Sequence, residues 1–357
     1  MRATVRRGTA VVAATVLALG AGWAHPSWAC GCGAAVGDVD VHGESTVVHF
    51  ADGVQTVVLR LDAESAQSSA ALLLPTPAPA EVALGEAEMF DELAALSRPR
   101  VEYVDQWWPE QWYEAGEETA GAPPGGVAVL DRVELGPFDA ATLAADDAAA
   151  LHDWLDGNGF TMPDDLAEAL RPYVEEGWYY VAVRLDAGEE ALSGALAPVE
   201  VVFPAAEPVY PMRLTALAEH GQYARLYLLA DHRMERADGV PVPSRVRFAG
   251  PLAADGVESA RLRDLIGPDG AFLTALDHDI PSPEALTGDF VFRPAAADAP
   301  HQEVVRLERP VYVMGVAAGP FTAALGVLAV LAAAGLATGL VRRARRLPAR
   351  GSGPRGR

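Results

Sequence analysis

Apolar positions follow two habits along this 357-residue chain. Unbroken apolar runs stand near the ends, and short strand-like or helix-like patterns fill the middle. Glu44 to Asp62 predicts a β-hairpin, with STVVHF and QTVVLRL flanking Ala51-Asp52-Gly53, a turn signal. Ala70 to Pro75 predicts a strand closed by the Pro75-Thr76-Pro77-Ala78-Pro79 punctuation. Met89, Leu93 and Leu96 have helical spacing within Glu86 to Leu96. Residues 115–126, AGEETAGAPPGG, are polar and Gly/Pro-rich and read as a mobile loop, leading into a strand over VAVLDRVEL. A helix is expected from Ala144 to Asp156 with Leu143, Leu151, Trp154 and Leu155 inward, stopped by Asp156-Gly157-Asn158-Gly159. Pro163 opens a second helix over Asp164 to Glu175, and Gly177 ends it before WYYVAVRLD, the strongest strand signal. Further strands are expected at Val199 to Phe203, Met212 to Leu217, Tyr223 to Leu229 and Arg245 to Phe248, with short helices and loops over 252–300. VVLRLDAES at 57 and VAVRLDAGE at 181 echo each other, as two ordinary strands ending alike would. The pattern predicts an α+β domain, mostly antiparallel strands with two inserted helices, plus one C-terminal transmembrane helix.

The two apolar runs set the expected topology. Residues 1–29 read as a signal peptide: Arg2, Arg6 and Arg7 precede the run Thr9 to Ala21, and Ser27 and Ala29 place small residues before Cys30. Gly8-Thr9 after Arg6-Arg7 argues against twin-arginine export. The second run, Pro320 to Val341, is uncharged, and as a helix it would reach roughly 33 Å, enough for a hydrocarbon core of about 30 Å. It stops at Arg342, Arg343, Arg345 and Arg346, and basic flanks stay cytoplasmic. The organisation expected is a signal peptide at 1–29, an extracytoplasmic domain at 30–310, a membrane span at 320–341 and a basic cytoplasmic tail at 342–357. The arginines would also meet anionic headgroups, making membrane lipid one partner. Gly326, Gly335 and Gly339 are compatible with close helix pairing.

Charge sharpens this division. The net charge is −22, yet neither 1–29 nor 342–357 contains an acid, and the chain has no lysine. The part between carries 17 arginines against 49 acidic residues, −32. Such a body repels phosphates, so nucleic acid is not an expected partner. An envelope protein or other ligand is.

The segments Ala29-Cys30-Gly31-Cys32-Gly33, LLLPTPAPAEVALG, LHDWLDGNGFTMPDDLAEALRPYVEEGWYYVAVRL, VYPMRLTALA and LYLLADHR resemble the bacterial family catalogued as domain of unknown function 2330. The likeness covers about residues 30–250, and the C-terminal anchor resembles actinobacterial members. It implies an exported or membrane-anchored protein and supplies no catalytic residues.

Candidate chemistry is sparse. Cys30 and Cys32 are the two cysteines, and local disulfide, free or mixed thiols, a lipidated Cys30 and a soft-metal pair all stay open. Ser27 and Trp28 fit a lipidation signal poorly. A metal would need further ligands, and His42 and His49 are the nearest histidines in sequence. Tyr103, Trp107, Trp108, Trp112 and Tyr113 crowd one stretch; they either cover a core or loop base, the plainer expectation, or form a contact surface for a sugar, a partner or a membrane interface. Asp277-His278-Asp279 and Asp231-His232 are the densest acid–base or metal-ligand sets, although adjacent residues on a strand point apart. Asp146-Asp147 and Asp164-Asp165 stand at helix starts, where capping and the dipole explain them. No phosphate loop, HExxH or GxSxG occurs, so no cofactor is expected. The leading expectation is a non-catalytic membrane-anchored surface protein that binds or organises something. An envelope hydrolase and an acidic divalent-cation binder are the alternatives.

Overall fold

The computed structural model describes residues 29–30, 33–37, 39–108, 139–144, 148–186 and 192–345. The leader before Ala29, Cys32, Trp112, Tyr113, the loop 115–126, the strand after it, Asp146-Asp147, Arg346 and the rest of the tail lie outside those residues.

The predicted hairpin is the centre of the molecule. Strands Asp40–Ala51 and Val54–Glu64 pair antiparallel across Asp52 and Gly53. Both turn residues have positive φ, 53° and 74°, as the tight turn that matches strand twist requires; glycine adopts it at no steric cost and aspartate tolerates it. A nine-stranded sheet grows from this hairpin. On one side follow Gln222–Ala230, Ala271–Ile280, Arg245–Leu252 and His301–Gln302; on the other, Val199–Pro204 and Glu81–Leu84. Ser193–Ala195 also pairs with Val54–Glu64. Gln222–Ala230 runs parallel to Asp40–Ala51, and the other pairings are antiparallel. A five-stranded antiparallel sheet contains Ala29–Cys30, Gly33–Val36, Ser69–Thr76, Tyr179–Asp186 and Asp139–Ala144 in that order. The two strands that echo each other in sequence therefore sit in different sheets.

Three cores stack these sheets with helices into four layers. Leu72, Leu74, Val181 and Val183 of the five-stranded sheet pack on Val48, Leu59, Val201, Leu226 and Leu228 of the nine-stranded sheet. The outer face of the smaller sheet, through Leu73, Tyr180 and Ala182, buries helices α2 (Ala148–Gly157) and α3 (Asp164–Glu175) by Leu151, Leu155, Leu166 and Leu170. The outer face of the larger sheet, through Val47, Val58 and Tyr227, buries α1 (Glu88–Leu96) and α4 (Ala260–Ile266) by Met89, Phe90, Leu93, Leu262 and Leu265. Sheets covered on both faces have runs of apolar residues rather than alternation. That is the physical reason for LLLP and YLLA.

Several expectations change. The described body is mostly strands with four helices: α2 and α3 are the two expected between strands, α1 follows the expected Glu86 to Leu96 spacing, and α4 is a short helix within 252–300. Within 252–300 lies Ala271–Ile280, a central ten-residue strand. Arg213–Leu217 is a 3-10 turn rather than a strand, because a buried carboxylate captures the Met212 and Arg213 amides. The residues before α2 split into strand Asp139–Ala144 and helix, so Leu143 belongs to the strand.

The chain leaves the layers through a ribbon. Arg100–Gln106 and Val304–Pro310 form a two-stranded parallel pair, followed by a short hairpin of Tyr312–Val313 and Val316–Ala317. Helix α5 (Ala318–Arg345) begins there. Its segment Ala318–Arg343 is 26 residues of mean hydropathy 2.2 with none of its apolar window buried, long enough at about 39 Å to cross a bilayer.

Candidate functional site

The strand Ala271–Ile280 divides the Asp277-His278-Asp279 set between its two faces. Asp277 is buried and accepts from three arginines on neighbouring strands: Arg225 at 2.8 Å, Arg245 at 3.0 Å and Arg247 at 3.4 Å. Tyr223 joins through Arg225, and Glu303 lies 3.3 Å from Arg245. Burial pushes the Asp277 carboxyl up, but the Arg225 hydrogen bond and the surrounding guanidinium charges outweigh it and hold it below the ordinary value. Such a carboxylate is a poor proton acceptor. His278 faces the opposite way, fully buried, with Nε2 2.8 Å from Ser244 Oγ and its ring 4.8 Å from Phe290. Burial first, then the Arg236 charge, push it down to about 4. Asp279 is exposed. The three residues do not converge.

Asp231 and His232 lie on the surface. His232 Nδ1 meets Asp298 Oδ2 at 2.9 Å, while Asp298 Oδ1 accepts from the Arg233 amide. This pairing raises the histidine and lowers the aspartate from their ordinary values. Among the described residues no group of three or more His, Cys, Asp and Glu gathers as a metal site. His42 is 3.8 Å from Glu64. Cys30 pairs by its backbone with Gly33.

A cleft of about 550 Å³ opens beside Ser244 and is lined by Arg233, Met234, Glu235, Arg236 and Asp238. Sequence reasoning did not find it, since nothing in this stretch carries a motif. Its charges are already engaged. Arg236 pairs with both Asp238 oxygens and donates to the Val240 and Val242 carbonyls, with its guanidinium over Phe290 at 3.8 Å. Asp238 also accepts from the Val240 and Val291 amides. Glu235 meets Arg293 at 3.0 Å. The Ser244–His278 contact has the outline of a nucleophile and base. A base near 4 is far from the useful range at neutral pH, and no carboxylate bonds His278 Nδ1 to orient the ring.

The aromatic stretch is found where the chain meets α5. Tyr103 is exposed on the ribbon, beside Leu307 in register. Trp107 and Trp108 are 50% and 62% exposed and lie against the first turn of α5. Arg342, Arg343 and Arg345 occupy the last turn of α5.

The four-layer α+β body with one candidate membrane span defines the class of protein. A family described as "Uncharacterized protein conserved in bacteria (DUF2330)" matches residues 26–293. The chain belongs to this family. No curated protein matches it. Among solved structures, that of baculovirus P35 is similar over 73% of this chain and 98% of that chain, at 10% identity and a TM-score of 0.38, a likeness too low to carry an argument.

Proposed function

We propose that this protein is a single-pass membrane protein holding residues 30–310 on the outer side of a bacterial cell membrane as a binding or organising domain, without catalysis of its own. The observation that carries the reading is α5. An apolar 26-residue helix whose apolar window has no buried residue has lipid as its natural surroundings. Arg342, Arg343 and Arg345 at its far end favour a cytoplasmic C-terminus. A reporter fused after Arg357 tests the topology: activity of a cytoplasmic-only reporter is the expected result, and activity of an export-only reporter sinks it.

The Ser244–His278 contact at the rim of the cleft favours a second reading, an envelope hydrolase. A fluorophosphonate probe discriminates. Labelling of the wild type that disappears in Ser244→Ala would establish the hydrolase, and unlabelled folded protein would leave the binding domain.

A further inference from the structure

Three chain segments meet at the start of α5 and are hydrogen-bonded into one piece. The Val311 amide donates to the Gln106 carbonyl at 3.1 Å, the Ala318 amide to Val311 at 2.8 Å, and the Gly319 amide to Trp107 at 2.8 Å. A helix start leaves its first four amides without partners, and in or near lipid no water replaces them. Here the first two are satisfied from outside the helix and Pro320, the third, has no N–H. Gly319 also makes room for the aromatic pair. A Cβ at Gly319 would fall within the Trp108 indole and 2.6 Å from the Trp107 carbonyl oxygen. The contact needs glycine at that point.

The side chains around this junction are large, apolar and uncovered. Trp107, Trp108 and Tyr312 are each half exposed or more, and Met314 at the hairpin turn is 89% exposed. Tyr103 lies about 13 Å up the strand from Trp107 and is separate from the group. Indole and phenol rings combine an apolar body with one hydrogen-bonding edge, and so favour the boundary between acyl chains and headgroups. The backbone bond from Gly319 to Trp107 and the short chain from Tyr312 to Ala318 put these rings at the level where α5 would enter the bilayer.

We propose that Trp107 and Trp108, carried in from some two hundred residues upstream of α5, form with Tyr312 an aromatic collar that seats the exposed domain in the headgroup region of the bilayer. The collar gives the domain a second, non-covalent hold on the membrane. It fixes the stance of the ribbon and body at the surface, where a lone span would leave them to swing. The inference rests on the membrane-anchored reading above.

The test uses the full chain in phospholipid vesicles, with tryptophan emission quenched by nitroxide lipids labelled near the headgroup or deep in the acyl chain, and by aqueous iodide. The headgroup-level nitroxide should quench, and the double variant W107F/W108F should lose most of that quenching. Gly319→Leu should shift the emission to longer wavelength by expelling the indole. Iodide access to these two rings in vesicles would overturn the collar. So would quenching by the deep nitroxide alone. Shielding from every quencher would place them against a second copy of the chain and overturn it equally. Carbonate extraction keeps the two readings apart: release of the chain from vesicles refutes anchoring itself, whereas a retained chain with iodide-accessible rings refutes only the collar.

Discussion

Asp277 and His278 are neighbours in sequence, yet the strand's alternation gives them opposite environments. Asp277 neutralises Arg225, Arg245 and Arg247 where burial leaves little water to do so. Asp277→Ala removes the shared acceptor and should cost about 3–5 kcal/mol, read by urea unfolding of the four-layer domain; no change in midpoint would show that the arginines find other partners. Both residues also make stability depend on pH in the same sense. The Asp277 carboxyl is depressed, so its contribution is present above the ordinary carboxylate value and is lost as pH falls through the lower folded value. His278 is depressed from 6.5 to about 4. Between those values the unfolded chain takes up a proton that the folded chain refuses, so stability declines as pH falls across that window, by about 3 kcal/mol at its lower end. His278→Leu should flatten the curve between pH 6.5 and 4 and leave the steeper acid loss below it. An unaltered slope in the variant would disprove the assignment.

At the scale of elements, α3 is the best determined piece. Pro163 stands at its N-cap and acidic Asp164 and Asp165 fill its first turn, favourable to the dipole. Asp165 bonds only the adjacent Leu166 amide, so the dipole, not a side-chain cap, is its contribution. Gly177 at φ 73° closes the helix. The Trp178 amide reaches the Tyr173 carbonyl and the Gly177 amide reaches Val174, the pairing of a Schellman ending. The Tyr173 and Trp178 rings meet at 4.9 Å across it. Tyr173 then locks the helix to the sheet layer by donating to Asp289 at 2.7 Å. The same carboxylate takes the Met212 amide at 2.8 Å and meets Arg213 Nε at 3.0 Å. Burial, with the Asp289 charge next, pushes the tyrosine far above its ordinary value and keeps it a donor. Tyr173→Phe should therefore cost about 1.5–3 kcal/mol, the range for a hydrogen bond to a charged group, measured as a fall in the unfolding midpoint with the fold unchanged by circular dichroism. The ribbon is the opposite case: a two-stranded pair is marginal by itself. It is held at the body by the Glu303 amide on the Arg247 carbonyl and at α5 by the Gly319 amide on the Trp107 carbonyl.

For the molecule as a whole, the three cores draw on no residue beyond Phe292 among those described. The domain is therefore built without α5. A chain of residues 30–310 should fold, melt cooperatively and stay soluble, while the full chain fractionates with membrane. Gel filtration and thermal circular dichroism check this, and aggregation of the truncated chain would mean that the span completes the fold. The −32 body then has the charge to remain dispersed.

The amino-acid sequence alone determined the features that local chemistry controls. Asp52-Gly53 fixed the central hairpin turn, Pro163 and Gly177 bounded α3 at Asp164 and Glu175, and an uncharged run before an arginine cluster marked α5, the candidate span. Each of these depends on neighbours within a few positions. The tertiary structure decided the rest. Ala271–Ile280 escaped prediction because a strand buried on both faces has no alternation to read. The arginines around Asp277 come from two other strands, and the four-layer stack is a matter of which faces meet. Trp107 and Trp108 were legible as aromatic crowding, but their seat on Gly319 joins positions some two hundred residues apart, which no local pattern encodes.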